Sequence, residues 1–168
     1  MYLEFLKQAL SAASYHENRA FSFAHPRVSK YSLVVAHLRS YFWELWSAWE
    51  YILQVANSAT LKLDPKEVRR DFLLEVEKKR PEYKHLKELK RMEESKELVR
   101  IKAVRDHAHN WVIDPYQVEY NEDTVEVICI NNSDSRDTGP PGQINIDRND
   151  LWFMENEVKT LLKSGFFE

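Results

Sequence analysis

Residues 28–58 constrain the fold more than any other stretch. Advanced at 100° per residue, Tyr31, Val34, Val35, Leu38, Phe42, Leu45, Trp49, Ile52, Leu53 and Ala56 fall on one side of a helix. The stripe is too wide to be covered by one neighbour, so this helix must be the centre of a bundle. Ser29 is positioned to cap it. The opposite face carries Ala36, Ser40 and Ser47 between Trp43 and Tyr51. Small residues permit close approach, so that face is either a homodimer seam or a second surface covered by the same chain. The aromatic run at 41–51 reads as core, because stacking platforms need exposed rings.

The rest of the chain supplies partners for this helix. Residues 2–20 repeat Leu3, Leu6, Leu10 and Ala13 at helical spacing, with Glu17 next in line. Pro26 makes a break, and His16 and His25 read as surface residues. Asp64-Pro65-Lys66-Glu67 is a helix-start pattern, predicting a helix over 65–79 that buries Val68, Phe72 or Leu73, and Val76. Pro81 ends it. Residues 82–97 are strongly charged, with a thin apolar stripe of Tyr83, Leu86, Leu89 and Met92, or of Leu89 and Met92 alone. A further helix is expected over 97–113, stopped by Asp114-Pro115.

The pattern then changes from period 3.6 to period 2. Gln117–Tyr120 and Thr124–Ile130 have strand composition around an Asn121-Glu122-Asp123 turn, which predicts a β-hairpin. Residues 131–142 have loop composition, and Ile144 and Ile146 have the pattern of a third short strand. A closing helix is expected over 149–164, capped by Asn149 or Asp147 and terminated by Gly165. The fold class is mainly α: an up-and-down bundle of four to five helices with a small β-hairpin before the last helix. One domain spans 1–168, comprising the bundle at 1–113, the hairpin and loop at 114–148, and the closing helix at 149–168.

Composition narrows the chemistry. With three glycines, at 139, 142 and 165, no phosphate-cradling loop exists. Cys129 is the single cysteine, which excludes an intrachain disulfide and a cysteine-based zinc site. No helical pair of histidines has the i, i+4 spacing of a metalloprotease, and no cofactor or metal is expected. No N-terminal signal pattern is seen and no apolar run approaches the ~18 residues of a membrane span, so the expectation is a cytoplasmic protein without a membrane. The net charge of −3 is uneven. Residues 114–168 carry 4 basic and 12 acidic side chains, whereas 78–91 carry 7 basic and 2 acidic. The second segment is either a solvated face or an RNA grip formed by Lys84, Lys87, Lys90 and Arg91.

The candidate chemistry lies on the helix at 97–113. Leu98, Ile101, Val104, Ala108 and Val112 form its apolar stripe, and Arg105 and His109 lie one turn apart at the edge of that stripe. Arg100 and His107 form a second pair two turns apart on the outer face. Arginine offers a planar, permanently charged fork to a phosphate, and histidine can give or take a proton near neutral pH. Together they suit cleavage of a phosphodiester, or they are a packed boundary pair.

The string VRDHAHNW at 104–111, late in a helical chain, resembles the signature helix of the HEPN superfamily. Its members are small all-helical domains found in toxin–antitoxin, phage-defence and RNA-processing systems. Their hallmark is an arginine, usually a polar residue next, and a histidine after four to six intervening residues. Here Arg105 is followed by the polar Asp106, and His109 comes after three residues; Arg100 and His107 are separated by six. The resemblance implies a metal-independent ribonuclease acting as a homodimer, with RNA as substrate and a cognate antitoxin or regulatory protein as a further partner. Arg105 would clamp the phosphate, His109 would act as general acid and base, and Asp106 would orient a histidine. Arg100, His107, Asn110, Lys87, Lys90 and Arg91 would bind substrate. The alternative is a non-catalytic helical interaction module, which the shortened spacing and the acidic C-terminal third favour.

Overall fold

The computed structural model describes residues 1–28, 30–69, 71–110, 114–130 and 143–167; within these, 107–110, 114–117, 128–130 and 143–145 are described by their backbone alone. The described residues form six α-helices, with a three-stranded antiparallel sheet before the last. The mainly helical reading therefore holds, with the third strand added to the hairpin.

α1 (Tyr2–Ala24) and α2 (Tyr31–Ala59) form an antiparallel pair that organises the core. Ala9, Ala13, Ala20 and Ala24 of α1 are buried, and their lack of bulk lets the two helices approach closely. α2 buries Val34, Leu38, Phe42, Leu45, Trp49, Ile52 and Ala56 as expected, and adds Tyr41, Ala48 and Asn57. Burial on so many sides matches the central position inferred from its stripe. Tyr31 departs from the expectation and is exposed at the first turn of α2. The expected Ser29 cap lies outside the described residues. α1 continues one turn past residue 20 because Phe21 and Ala24 still have α2 and the sheet to pack against.

The helix predicted over 65–79 is interrupted. Asp64 accepts a hydrogen bond from the Lys66 amide, as a cap should, but only a 3-10 turn follows at Pro65–Glu67. The side-chain amide of Gln54 on α2 donates to the Pro65 carbonyl at 3.0 Å. That carbonyl would have received the Arg69 amide in a continuing α-helix, so a tertiary bond takes the place of the local ladder. Asn57 anchors the preceding loop by bonding both the amide and the carbonyl of Leu63 at 2.9 Å. α3 (Phe72–Lys79) then starts afresh and buries both Phe72 and Leu73, with Val76. α4 (Leu86–Glu93) buries Leu86, Leu89 and Met92, the stripe read from the sequence. α5 (Lys96–Asn110) buries Leu98 and Ile101 against α2.

β1 (Asp114–Tyr120) and β2 (Thr124–Ile130) form the expected hairpin, pairing Val118 with Val127 and Tyr120 with Val125. The Asn121 side chain accepts the amides of Asp123 and Thr124 at 2.8 and 2.7 Å, which sets the turn. β1 begins earlier than expected and includes Pro115; as an edge strand it tolerates the missing N–H, and the register shifts between Pro115 and Gln117. β3 (Gln143–Asp147) pairs with β2. Val125, Val127 and Ile146 turn inward, and Tyr120 meets Phe21 edge-on at 6.2 Å. α6 (Arg148–Lys163) is capped by the Asp147 carboxylate, which accepts the Asn149 amide at 2.8 Å. It ends at Gly165, whose φ of 70° lets the Phe166 amide reach back to the Leu161 carbonyl.

Candidate functional site

The two arginines of α5 are placed very differently. Arg105 projects toward α2, where Trp43 and Trp46 sit one turn apart. Its guanidinium carbon lies 5.3 Å from the centre of the Trp43 ring and 5.5 Å from that of Trp46. These are cation–π distances, which hold a charged group without neutralising it. Arg105 Nη1 donates to Asp106 at 2.6 Å, and Nη2 lies 3.9 Å from Glu50. Both carboxylates are substantially exposed, at 45% and 54%, so water screens them. Glu50 also accepts the Trp46 indole N–H at 2.7 Å, which fixes the ring under the arginine. Arg105 Nε is buried and has no hydrogen-bond partner among the described residues.

Arg105 stands at one edge of a cleft of about 620 Å³ between α2, α3, α4 and α5. Trp49, Leu53 and Leu98 make its floor, and Lys102 lies one turn before Arg105 on its α5 wall. Glu93 lines the same cleft; burial raises its carboxyl above the usual range, and neighbouring Glu94 adds to this. The aromatic run that reads as core is therefore divided. Tyr41, Phe42 and Trp49 are buried, Trp46 is half-buried, and Trp43 is 49% exposed. An eleven-residue run must circle the whole helix, so some of its rings face away from the core.

Arg100 corrects the expectation of an outer-face position. It packs over the Phe42 ring at 5.5 Å and donates to Asp150 of α6 at 2.5 Å. The Asp150 side chain is 3% exposed. Its carboxyl is pushed up to about 7, first by burial, against the opposing pull of Arg100. Spacing along α5 gave no sign of this partner, which arrives fifty residues later in the chain. Nearby, Tyr41 donates to the Asp147 carbonyl at 3.3 Å, and burial pushes its phenol far above the ordinary value.

The basic residues of α4 are largely matched by carboxylates. Lys90 bonds both oxygens of Glu77 at 2.9 Å, and Arg91 pairs with Glu157 on α6. Lys87 is exposed beside them. The backbone of α5 carries His109 one turn beyond Arg105 and His107 two turns beyond Arg100. The side chains of His107, His109 and Asn110 lie outside the described residues. Asp106 accepts a hydrogen bond from Arg105.

One constellation was not legible from spacing. Ser164 Oγ lies 3.5 Å from His85 Nδ1, and Glu88 lies 3.8 Å from the same nitrogen. A nucleophilic relay needs the serine and the carboxylate on opposite ring nitrogens. His85 Nε2 is instead buried without a partner among the described residues, and burial lowers the pKa of the imidazole, so this is a packing cluster. Among the described residues no helix is long and apolar enough to cross a membrane. Comparison with protein-family models, with curated proteins and with solved structures finds no match.

Proposed function

We propose that this chain is a HEPN-like domain that binds and cleaves RNA without a metal ion, with its site at the C-terminal part of α5. One observation carries the reading. Arg105 lies against two tryptophan faces, and its carboxylate partners among the described residues are solvent-screened. A phosphate can displace such partners, because an exposed ion pair contributes little. It would also offer an acceptor to the buried Arg105 Nε. The half-exposed ring of Trp43 supplies an apolar surface next to the phosphate.

In this reading His109 takes the proton of the 2′-hydroxyl as that oxygen attacks phosphorus. The bond to the leaving 5′-oxygen breaks, and a second imidazole protonates it. The counterpart histidine of a second copy supplies that acid, which is why a homodimer is part of the proposal. Arg105 stabilises the charge that builds on the phosphoryl oxygens. A cytoplasmic setting and a defence or toxin–antitoxin role, with a cognate antitoxin, accompany the family resemblance.

A second reading has its own observation. Lys90, Arg91 and Arg100 already have carboxylate partners, which shrinks the phosphate-facing surface and favours a non-catalytic interaction module. Incubation of a mixed RNA pool in EDTA separates the two. Cleavage by the wild type that is lost in folded Arg105→Ala and His109→Ala supports the ribonuclease. Cleavage surviving both substitutions removes the pair from the mechanism. Absence of cleavage and of salt-sensitive RNA binding leaves the interaction module.

A further inference from the structure

His16 of α1 and His37 of α2 meet across the antiparallel α1–α2 pair. Their Nδ1 atoms are 2.9 Å apart, with ring centres separated by 5.2 Å. The sequence gives no hint of the meeting, since 21 residues separate them and His16 reads as a surface residue. Both rings are held in place. His37 stacks on Phe23 at 5.5 Å, and Tyr15 presents its ring to both imidazoles at 5.3 and 6.1 Å. The helices themselves are fixed by the buried alanines of α1 and, nearer the other end, by the stack of Phe5 on Tyr51.

Two imidazole nitrogens this close share one proton at most. A metal is ligated by the uncharged imidazole nitrogen, and the contact between the two Nδ1 atoms already requires one of them to be unprotonated.

We propose that His16 and His37 form a two-histidine clamp for a divalent transition-metal ion, of the zinc, nickel and copper class, that fastens α1 to α2. The two Nδ1 atoms are the protein ligands, and water completes the shell. Ligand nitrogens at 2.0–2.1 Å from a tetrahedral ion lie about 3.3 Å apart. The pair must therefore open by about 0.4 Å from its hydrogen-bonded separation, and each ring must turn so that its Nδ1 lone pair points at the ion instead of at the other nitrogen. Imidazole ligands suit zinc, nickel and copper, with copper bound most tightly. Arg19, held over Tyr15 at 5.3 Å, is the nearby cation that works against the ion. The inference is independent of the α5 site: His37 and Trp46 are nine residues apart on α2, or about 14 Å along the axis.

Thermal unfolding of the full chain, stripped with EDTA and titrated with zinc, nickel or copper chloride, tests this. The melting temperature should rise saturably by a few degrees, most with copper. His16→Gln and His37→Gln should each abolish the rise, whereas His107→Ala and His109→Ala should leave it intact. Histidine NMR of the wild type gives a measurement that needs no variant: zinc should move the His16 and His37 ring signals together and leave those of His85 in place. No saturable rise in the wild type, a rise that survives either glutamine substitution, or zinc shifts confined to other histidines would overturn the clamp.

Discussion

Arg100 and Arg105 lie on the same helix five residues apart, yet they belong to different kinds of structure. Arg100 is stacked on Phe42, and its partner Asp150 is almost wholly shielded from water. Arg105 is similarly accessible as a side chain, 27% against 28%, but its partners Asp106 and Glu50 are open to solvent. What separates a structural arginine from one that can receive a ligand is therefore the burial of its counter-charge. A buried carboxylate cannot exchange its partner without being left bare in a low-dielectric surrounding. An exposed one can turn to water.

The contrast is broken most directly at Arg100. Arg100→Ala strands the Asp150 carboxylate, and the expected cost is about 3 kcal/mol of unfolding free energy. Because Asp150 already titrates at about 7, the variant should recover stability as the pH is lowered and the stranded carboxyl takes up a proton. Urea unfolding at pH 8 and pH 6 reads both effects. A loss below about 1 kcal/mol at pH 8 would place Arg100 in the same class as Arg105.

Glu17 makes a test of intermediate size. It is buried on α1 with one carboxylate oxygen unpartnered, and Arg148 approaches only to 3.7 Å. Burial lifts its carboxyl from 4.5 to about 7, over the opposing effect of Arg148. A carboxyl raised in the folded state binds its proton more tightly there than in the unfolded chain. Its contribution to stability is therefore most favourable below about 4.5 and is lost as pH rises through about 7. Glu17→Gln should add on the order of 2 kcal/mol at pH 8 and little at pH 4. Asp150 titrates in the same window, so the variant keeps part of the original slope. Equal gains at both pH values would show that Glu17 is not protonated in the folded state.

How far this contrast can be read from the sequence depends on the range of the interaction. Periodicity locates α1, α2 and α6 to within a turn, because each buries one stripe and needs no distant information. It fails at 65–71, where Gln54 captures the Pro65 carbonyl from another helix. The candidate site divides in the same way. Arg105 and its adjacent Asp106 are visible on the helical wheel. Trp43 and Trp46 are visible only as members of an aromatic run, and which rings point outward depends on where α5 lies. Asp150 and His37 are invisible as partners of Arg100 and His16, since nothing in local spacing foretells a contact between remote positions.

Arg105 itself should matter little for folding. Arg105→Ala removes two cation–π contacts and two screened ion pairs, for an expected loss of about 1 kcal/mol. RNA cleavage, or RNA binding at low salt, should fall steeply in the same variant. Stability measured by denaturant and function measured on the same sample thus move independently. A loss of several kcal/mol would show that Arg105 is structural after all and would erase its difference from Arg100.

The smallest effect is expected on α4, where the same rule applies one level weaker. Lys90 is bonded to both oxygens of Glu77, a carboxylate that is 49% exposed, whereas Lys87 stands beside the pair at the surface. Lys90→Ala should cost about 0.5 kcal/mol of stability, and Lys87→Ala none that denaturation can resolve. If α4 contributes to RNA binding, the order reverses. Lys87 has the freer charge, so its removal should lower the slope of log affinity against log salt by nearly one, while removal of Lys90 changes it less. Equal slopes for the wild type and both variants would confine any RNA contact to α5, and the half-neutralised face of α4 would then be a solvated surface.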